Sequence, residues 1–164
     1  MENMKKYVGT KELKAIPMNK EEYCQYRQWE VPLNENPKEE GYLVEYLDGG
    51  KPNDERHLGY ISWSPKDVFE KSYKENEFLT FGQAIESAKQ GKKITRKGWN
   101  GQGMFAYIVP ANSYTAQTGV AKEYWGGKPV PYRAYWALKT AQEDIAMWSP
   151  SGSDSLAEDW LIVD

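Results

Sequence analysis

The polar stretch Lys74-Glu75-Asn76-Glu77 divides the chain into two patterns, each of fewer than about 90 residues, so neither half can build a large core. The division predicts an α+β protein of two small units: a module over residues 1–75 and a second unit over 77–164. In the first, Asn19 with Glu22 three residues on is a capping-box start, and a helix carrying Tyr23, Tyr26 and Arg27 is expected to run until Glu30-Val31-Pro32. GYLVEYL (41–47) and HLGYISW (57–63) read as strands. Ser64-Pro65-Lys66-Asp67 reads as a second helix start, with serine as cap and proline at the first helical position.

The second unit starts afresh. Thr80 and Gln83 fit a capping box, Phe81, Ala84, Ile85 and Ala88 repeat at helical spacing, and Gly91 stands where a helix would close. Short strands are expected at 92–97, 104–109, 132–138, 144–148 and 160–163. The long connections 112–131 and 149–159 read as loops. This pattern predicts one main helix on an antiparallel sheet of four to five strands.

Composition narrows the chemistry. One cysteine, Cys24, and one histidine, His57, leave no disulfide, no Cys/His zinc cluster and no CxxC pair, so neither a cofactor nor a metal is expected. Cys24 reads as a packed thiol and His57 as a surface residue. A formal charge of −3 gives the whole molecule no pull toward a nucleic-acid backbone. The opening MENMKKYVGTKELK lacks the apolar core of a signal peptide, and no apolar run approaches the roughly 18 residues of a membrane span; a cytosolic protein is expected. Seven tryptophans and twelve tyrosines against four phenylalanines make most rings amphipathic, able both to stack on a ligand and to hydrogen-bond to it.

Two segments concentrate such groups. In Gly98-Trp99-Asn100-Gly101-Gln102-Gly103, three glycines allow close approach to the main chain beside a stacking ring and an amide; the same sequence also suits a hairpin turn with Trp99 as a core plug. Its glycine spacing matches neither a Rossmann fingerprint nor a P-loop. In Met147-Trp148-Ser149-Pro150-Ser151-Gly152-Ser153-Asp154-Ser155, serines and an acid follow an aromatic residue. They could bond ribose hydroxyls or phosphate oxygens, or form a solvated loop capping a turn at Leu156-Ala157-Glu158. Lys89, Lys92, Lys93, Arg96 and Lys97 are a basic stretch suited to phosphate or to a solvated face, and Arg133, on an aromatic strand, could stack or fork to phosphate. The spacing of Asp144, Asp154, Glu158 and Asp159 singles out no catalytic dyad.

The run LTFGQAIESAKQGKKITRKGWNGQGMFAYIVP, followed by MWSPSGSDSLAEDW, resembles the second type of phage Thoeris anti-defence protein over about Glu77 to Asp164. The resemblance implies a non-catalytic sponge in the cytoplasm of the infected bacterial host. Such a sponge captures glycocyclic ADP-ribose, an immune signal made from NAD, as a homotetramer with pockets between protomers, and some members take cyclic dinucleotides at separate pockets. Carried over by matching motif, Trp99 and Trp148 would stack on purine or sugar, with Asn100, Gly101, Ser151 and Asp154 around them. Arg133, in a Tyr-Arg pair followed here by alanine in place of the family's proline, would contact phosphate or the second pocket. The first half, with GYLVEYLDGGKP and GYISWSPKDVFEKSY, resembles short uncharacterised phage proteins, which implies a phage source and no activity. Two other readings of the residues stay open: a hydrolase of the same signals using Asp154 or Glu158 as base, and a single-stranded nucleic-acid module built on aromatic platforms.

Overall fold

The computed structural model describes Lys5 and residues 7–163; part of the opening stretch read for a signal peptide, and Asp164, lie outside the described residues. The chain forms two compact units, Met1–Lys74 and Glu75–Asp164.

The first unit is a three-stranded antiparallel sheet in the order β1 (Lys14–Pro17), β2 (Gly41–Tyr46), β3 (Tyr60–Pro65). Helix α1 (Lys20–Tyr26) starts at the Asn19–Glu22 capping box and places Tyr23 against Leu43 and Ile61. It stops four residues before the expected end, because Arg27 closes it and Gln28 takes a left-handed φ of 57°. Helix α2 (Lys66–Ser72) stacks Phe69 on Tyr42, centroids 4.1 Å apart. Neighbours on a strand point to opposite faces, so Leu43 and Tyr42 put the two helices on opposite sides of the sheet.

The local reading of this unit changes at four points. Strand β1, short and ending in a proline tolerated at a sheet edge, carries too few apolar residues to be read as a strand. Ser64 is not the α2 cap: Ser64 and Pro65 pair with Tyr42 and Gly41 in the sheet, and the helix starts after Pro65 without a side-chain cap. Residues 57–59 precede β3, since Glu45 draws in the Leu58 and Gly59 N–H groups at 2.9 and 3.1 Å. His57 is half-buried rather than freely exposed, its Nε2 lying 2.8 Å from the Tyr26 hydroxyl and its Nδ1 3.5 Å from Glu45. Cys24 is buried, as its place in the tyrosine-rich helix suggested.

The second unit has the expected architecture. Helix α3 (Phe81–Lys89) begins at the Thr80–Gln83 capping box, and Gly91, with φ 89°, follows its last turn. It packs on a five-stranded antiparallel sheet in the order β10 (Trp160–Val163), β4 (Lys93–Arg96), β5 (Phe105–Val109), β8 (Tyr135–Lys139), β9 (Ile145–Trp148). Phe81, Ala84 and Ala88 meet Leu79, Ile94, Ala106 and Trp160; the two alanines, one turn apart, let the helix lie close to the strands. Register sets the inward face, with Ile162, Ile94, Ala106, Leu138 and Ala146 in one row and Ile108, Trp136 and Trp148 in another. Trp148 and Trp160 belong to opposite edge strands with three strands between them, yet their rings are 6.2 Å apart. The sheet is therefore strongly curled around its aromatic contents.

The connections are richer than expected. Residues 112–131 hold β6 (Asn112–Tyr114), the seven-residue helix α4 (Gly119–Trp125), capped by Thr118, and most of β7 (Val130–Tyr132), which pairs with β6 alone. The single strand read over 132–138 is thus broken: Tyr132 ends β7, Tyr135 begins β8, and Arg133 and Ala134 lie between them. The helical turn read at Leu156–Glu158 falls earlier, as α5 (Gly152–Ser155). Among the described residues, no helix is long and apolar enough to cross a membrane, and no group of three or more His, Cys, Asp or Glu could hold a metal ion.

Candidate functional site

Strand β4 delivers Arg96 to the inward face, two residues after Ile94. Its Nε donates to Asp159 Oδ1 at 2.7 Å and its Nη1 to Asp154 Oδ1 at 2.8 Å. Asp159 Oδ2 also accepts the Gly98 N–H at 2.8 Å, and a Cβ on Gly98 would itself stand 2.8 Å from that oxygen, so a larger residue there would push the carboxylate aside. Asp154 Oδ1 takes a second donor, the Trp99 indole N–H, at 3.1 Å. Its Oδ2 accepts the Ser151 N–H at 3.0 Å and the Ser151 hydroxyl at 2.7 Å. The Ser151 N–H bond, with the Asp154 N–H donating to Ser151 Oγ at 3.1 Å, makes a capping box in which Ser151 starts α5 and Asp154 is its third residue. The Asp154 carbonyl accepts the Trp160 indole N–H at 3.0 Å. One aspartate thus gathers the end of β4, the glycine turn, the serine loop and the start of β10.

Above this polar knot stands an aromatic cluster. Trp99 lies 5.7 Å from Trp148 and 5.4 Å from Trp160, in edge-to-face geometry in both cases. Trp148 also meets Trp136 at 5.6 Å, and Phe81 meets Trp160 at 5.0 Å. Trp160 is wholly buried, whereas Trp99 and Trp148 are half-buried. The two half-buried rings stand at 79° to each other in edge-to-face contact, each leaving part of its surface open.

Burial by itself would raise the Asp154 carboxyl, but the hydrogen bonds from Ser151, Arg96 and Trp99 outweigh it and hold the group well below the usual carboxylate range. The Arg96 guanidinium does the same for Asp159, burial opposing it and the Gly98 N–H adding to it. Both aspartates are fixed as anions. Their hydrogen bonds tie the glycine turn and the serine loop to strand β4. One guanidinium against two carboxylates leaves the knot with a net charge of −1.

Of the residues read from the sequence, Trp99, Trp148, Ser151 and Asp154 come together here. Asn100 is exposed immediately after Trp99. A Cβ on Gly101 would meet Met104 Sδ at 2.3 Å and Ala141 Cβ at 2.9 Å, so this glycine fits the turn to its neighbours. Arg133 is exposed on the β7–β8 link and is not among the side chains that Asp154 gathers. The Trp136–Trp148 pairing places the entry to β8 and the exit from β9 at one end of the sheet, so Arg133 and Ser149 leave that same end.

The basic stretch is not an open phosphate patch. Lys89 pairs with Glu86 and Lys97 with Glu77, Lys93 lies over the Phe105 ring, and Arg96 is held between two aspartates. Arg96, Asp159 and Trp160 are central to the site, although the sequence offers Arg96 only as part of a basic stretch, Asp159 only among acids that single out no dyad, and Trp160 only as the start of a strand. The available signal was the two-residue period of Lys92–Lys97, which puts Arg96 on the face of Ile94.

Residues 79–163 match the family model described as Tad2-like, Thoeris anti-defense 2-like domain. A curated relative, Thoeris anti-defense 2 of Bacillus phage SP01, is 38% identical over 85 residues, covering 52% of this chain and 94% of that protein. Every residue of the polar knot and the aromatic cluster lies inside the matched range, and the first unit lies outside it.

Proposed function

The chain belongs to the Thoeris anti-defense 2-like family of phage anti-defence proteins, and on that premise we propose that its second unit captures a cyclic nucleotide immune signal and holds it intact. Glycocyclic ADP-ribose, made from NAD in the infected bacterial cytoplasm, is the ligand we assign first. The observation that carries the reading is the pair of Trp99 and Trp148 on a saturated hydrogen-bond knot: preset π-faces beside carboxylates whose acceptor sites are already engaged. A stoichiometric binder needs walls fixed before the ligand arrives, because ordering them on binding costs affinity. Adenine would stack on one indole face, with Asn100 and the Ser151 loop as polar partners.

Assembly is part of the proposal. Met147 and Ile145, 80% and 55% exposed, leave apolar surface on the outer side of β9, which association as a homotetramer would cover. Arg133, beyond the end of the sheet, is assigned to phosphate, at this pocket or at a separate one for cyclic dinucleotides.

The test is to mix purified protein with glycocyclic ADP-ribose, pass the mixture through a size filter, and chromatograph the filtrate before and after heat denaturation. Depletion followed by recovery of unchanged ligand on heating is expected. An altered product would establish a hydrolase instead, and absence of depletion would remove this ligand. In the same assay Trp99→Ala or Trp148→Ala should each weaken capture at least about tenfold, the loss of a stacking contact of about 1–3 kcal/mol. Unchanged affinity in both variants would move the site elsewhere.

A further inference from the structure

We propose that Asp154 is a positioning residue for Trp99, with no contact to the bound signal of its own. The inference rests on the capture reading for its ligand and goes beyond it in saying how the pocket is set.

An ionised carboxylate offers about four acceptor sites, and all of these are occupied in Asp154: Arg96 Nη1 and the Trp99 indole on Oδ1, the Ser151 N–H and hydroxyl on Oδ2. The residue is only 9% exposed. A ligand hydroxyl could reach it only by displacing a partner already in place, and each such partner is a donor the site would then have to satisfy again. Its indole bond, by contrast, fixes what the tryptophan does. The glycine turn leaves the Trp99 backbone few constraints beyond its own N–H, which bonds the Arg96 carbonyl at 3.3 Å. The ring's rotation is set by edge-to-face contacts, which are weakly directional, and by the one directed bond to Asp154. Arg96 braces the same carboxylate from the other side and is itself locked to Asp159, which holds the turn at Gly98. The chain of contacts from Asp159 through Arg96 to Asp154 therefore determines where the Trp99 face lies before any ligand binds.

A double-mutant cycle separates positioning from contact. Asp154→Ala should weaken capture of glycocyclic ADP-ribose about tenfold in the wild-type background and less than about threefold in Trp99→Phe, where the indole donor is already gone. Equal losses in both backgrounds would mean a direct contact and overturn the proposal. Asp154→Asn keeps an oxygen for Arg96 and Trp99, so it should retain capture within about threefold and serves as the probe should the alanine variant fold poorly. A loss as large as that of the alanine variant would count against the indole bond as the operative one.

The ligand-free protein supplies an independent readout. The Trp99 indole N–H signal in a proton–nitrogen spectrum, identified by its absence in Trp99→Phe, should shift and exchange faster with solvent in Asp154→Ala and stay in place in Asp154→Asn. An unmoved signal in Asp154→Ala overturns the positioning role whatever the binding data say. A signal that moves as expected in a protein that captures no ligand would remove the capture reading and leave the positioning role standing.

Discussion

Arg96 is one positive charge between two carboxylates on the inward face of a small sheet, and its removal leaves both anions without their shared counter-ion. Arg96→Ala should destabilise the second unit by about 3 kcal/mol, read as a lower urea midpoint at unchanged slope. Arg96→Lys should recover only part of this, because a single ammonium cannot span Asp154 and Asp159 as the fork does. The acid side follows from the same pair. Both aspartates have folded-state pKa values below their unfolded ones, so their stabilisation is fully present above the unfolded value of about 4 and is lost as pH falls through the folded values. Unfolding free energy should therefore show no loss from this pair between about pH 8 and 5 and decline below about 4. In Arg96→Ala the decline should be smaller and should level off at higher pH, since without the strongest attraction on Asp159 its folded value moves back toward the unfolded one. A decline of identical shape in both proteins would show that the arginine does not set these pKa values.

At the scale of elements, the sequence announces those whose signals are local and hides those that depend on a distant partner. The capping boxes at Asn19 and Thr80 fix their helix starts because each cap is completed within four residues. Ser64-Pro65 carries an equally good local signal and misleads, because pairing with Tyr42 and Gly41 claims those residues for the sheet. Helix α5 falls between the two. Its Ser151–Asp154 box has the spacing of a cap, yet the aspartate's larger role, gathering Arg96 and Trp99 from some 55 residues earlier, is visible only in the fold. The aromatic cluster was half legible: Trp99 and Trp148 stand in recognisable segments, whereas Trp160 and Trp136 join them only once the sheet curls. Ser151→Ala should accordingly cost about 1 kcal/mol as the loss of a helix cap, and it should also loosen the loop that supports Asp154. Thermal unfolding measures the first effect. Proteolytic cleavage confined to residues 149–155 in the variant, with wild type resistant there, would report the second.

At the scale of the whole molecule, the apolar interior is built separately in each unit. Tyr23, Leu43 and Ile61 form one cluster, while Leu79, Phe81, Ala84, Ala88, Ile94, Ala106 and Trp160 form another, with no residue in common. The family match lies entirely within the second, and the SP01 relative is covered over 94% of its own length by about half of this chain. A protein of that extent exists without the first unit, which argues that the second carries its own folding information. Expressed alone, residues 75–164 should unfold cooperatively, keep the Trp99 indole signal of the full chain, and capture glycocyclic ADP-ribose within about threefold of it, as expected where distant parts contribute independently. The converse fragment, residues 1–74, should fold through its own sheet and capture nothing. Loss of capture in the isolated second unit with its fold intact would give the first unit a part in the site. A second unit that fails to fold would instead make the first unit a structural requirement of this chain.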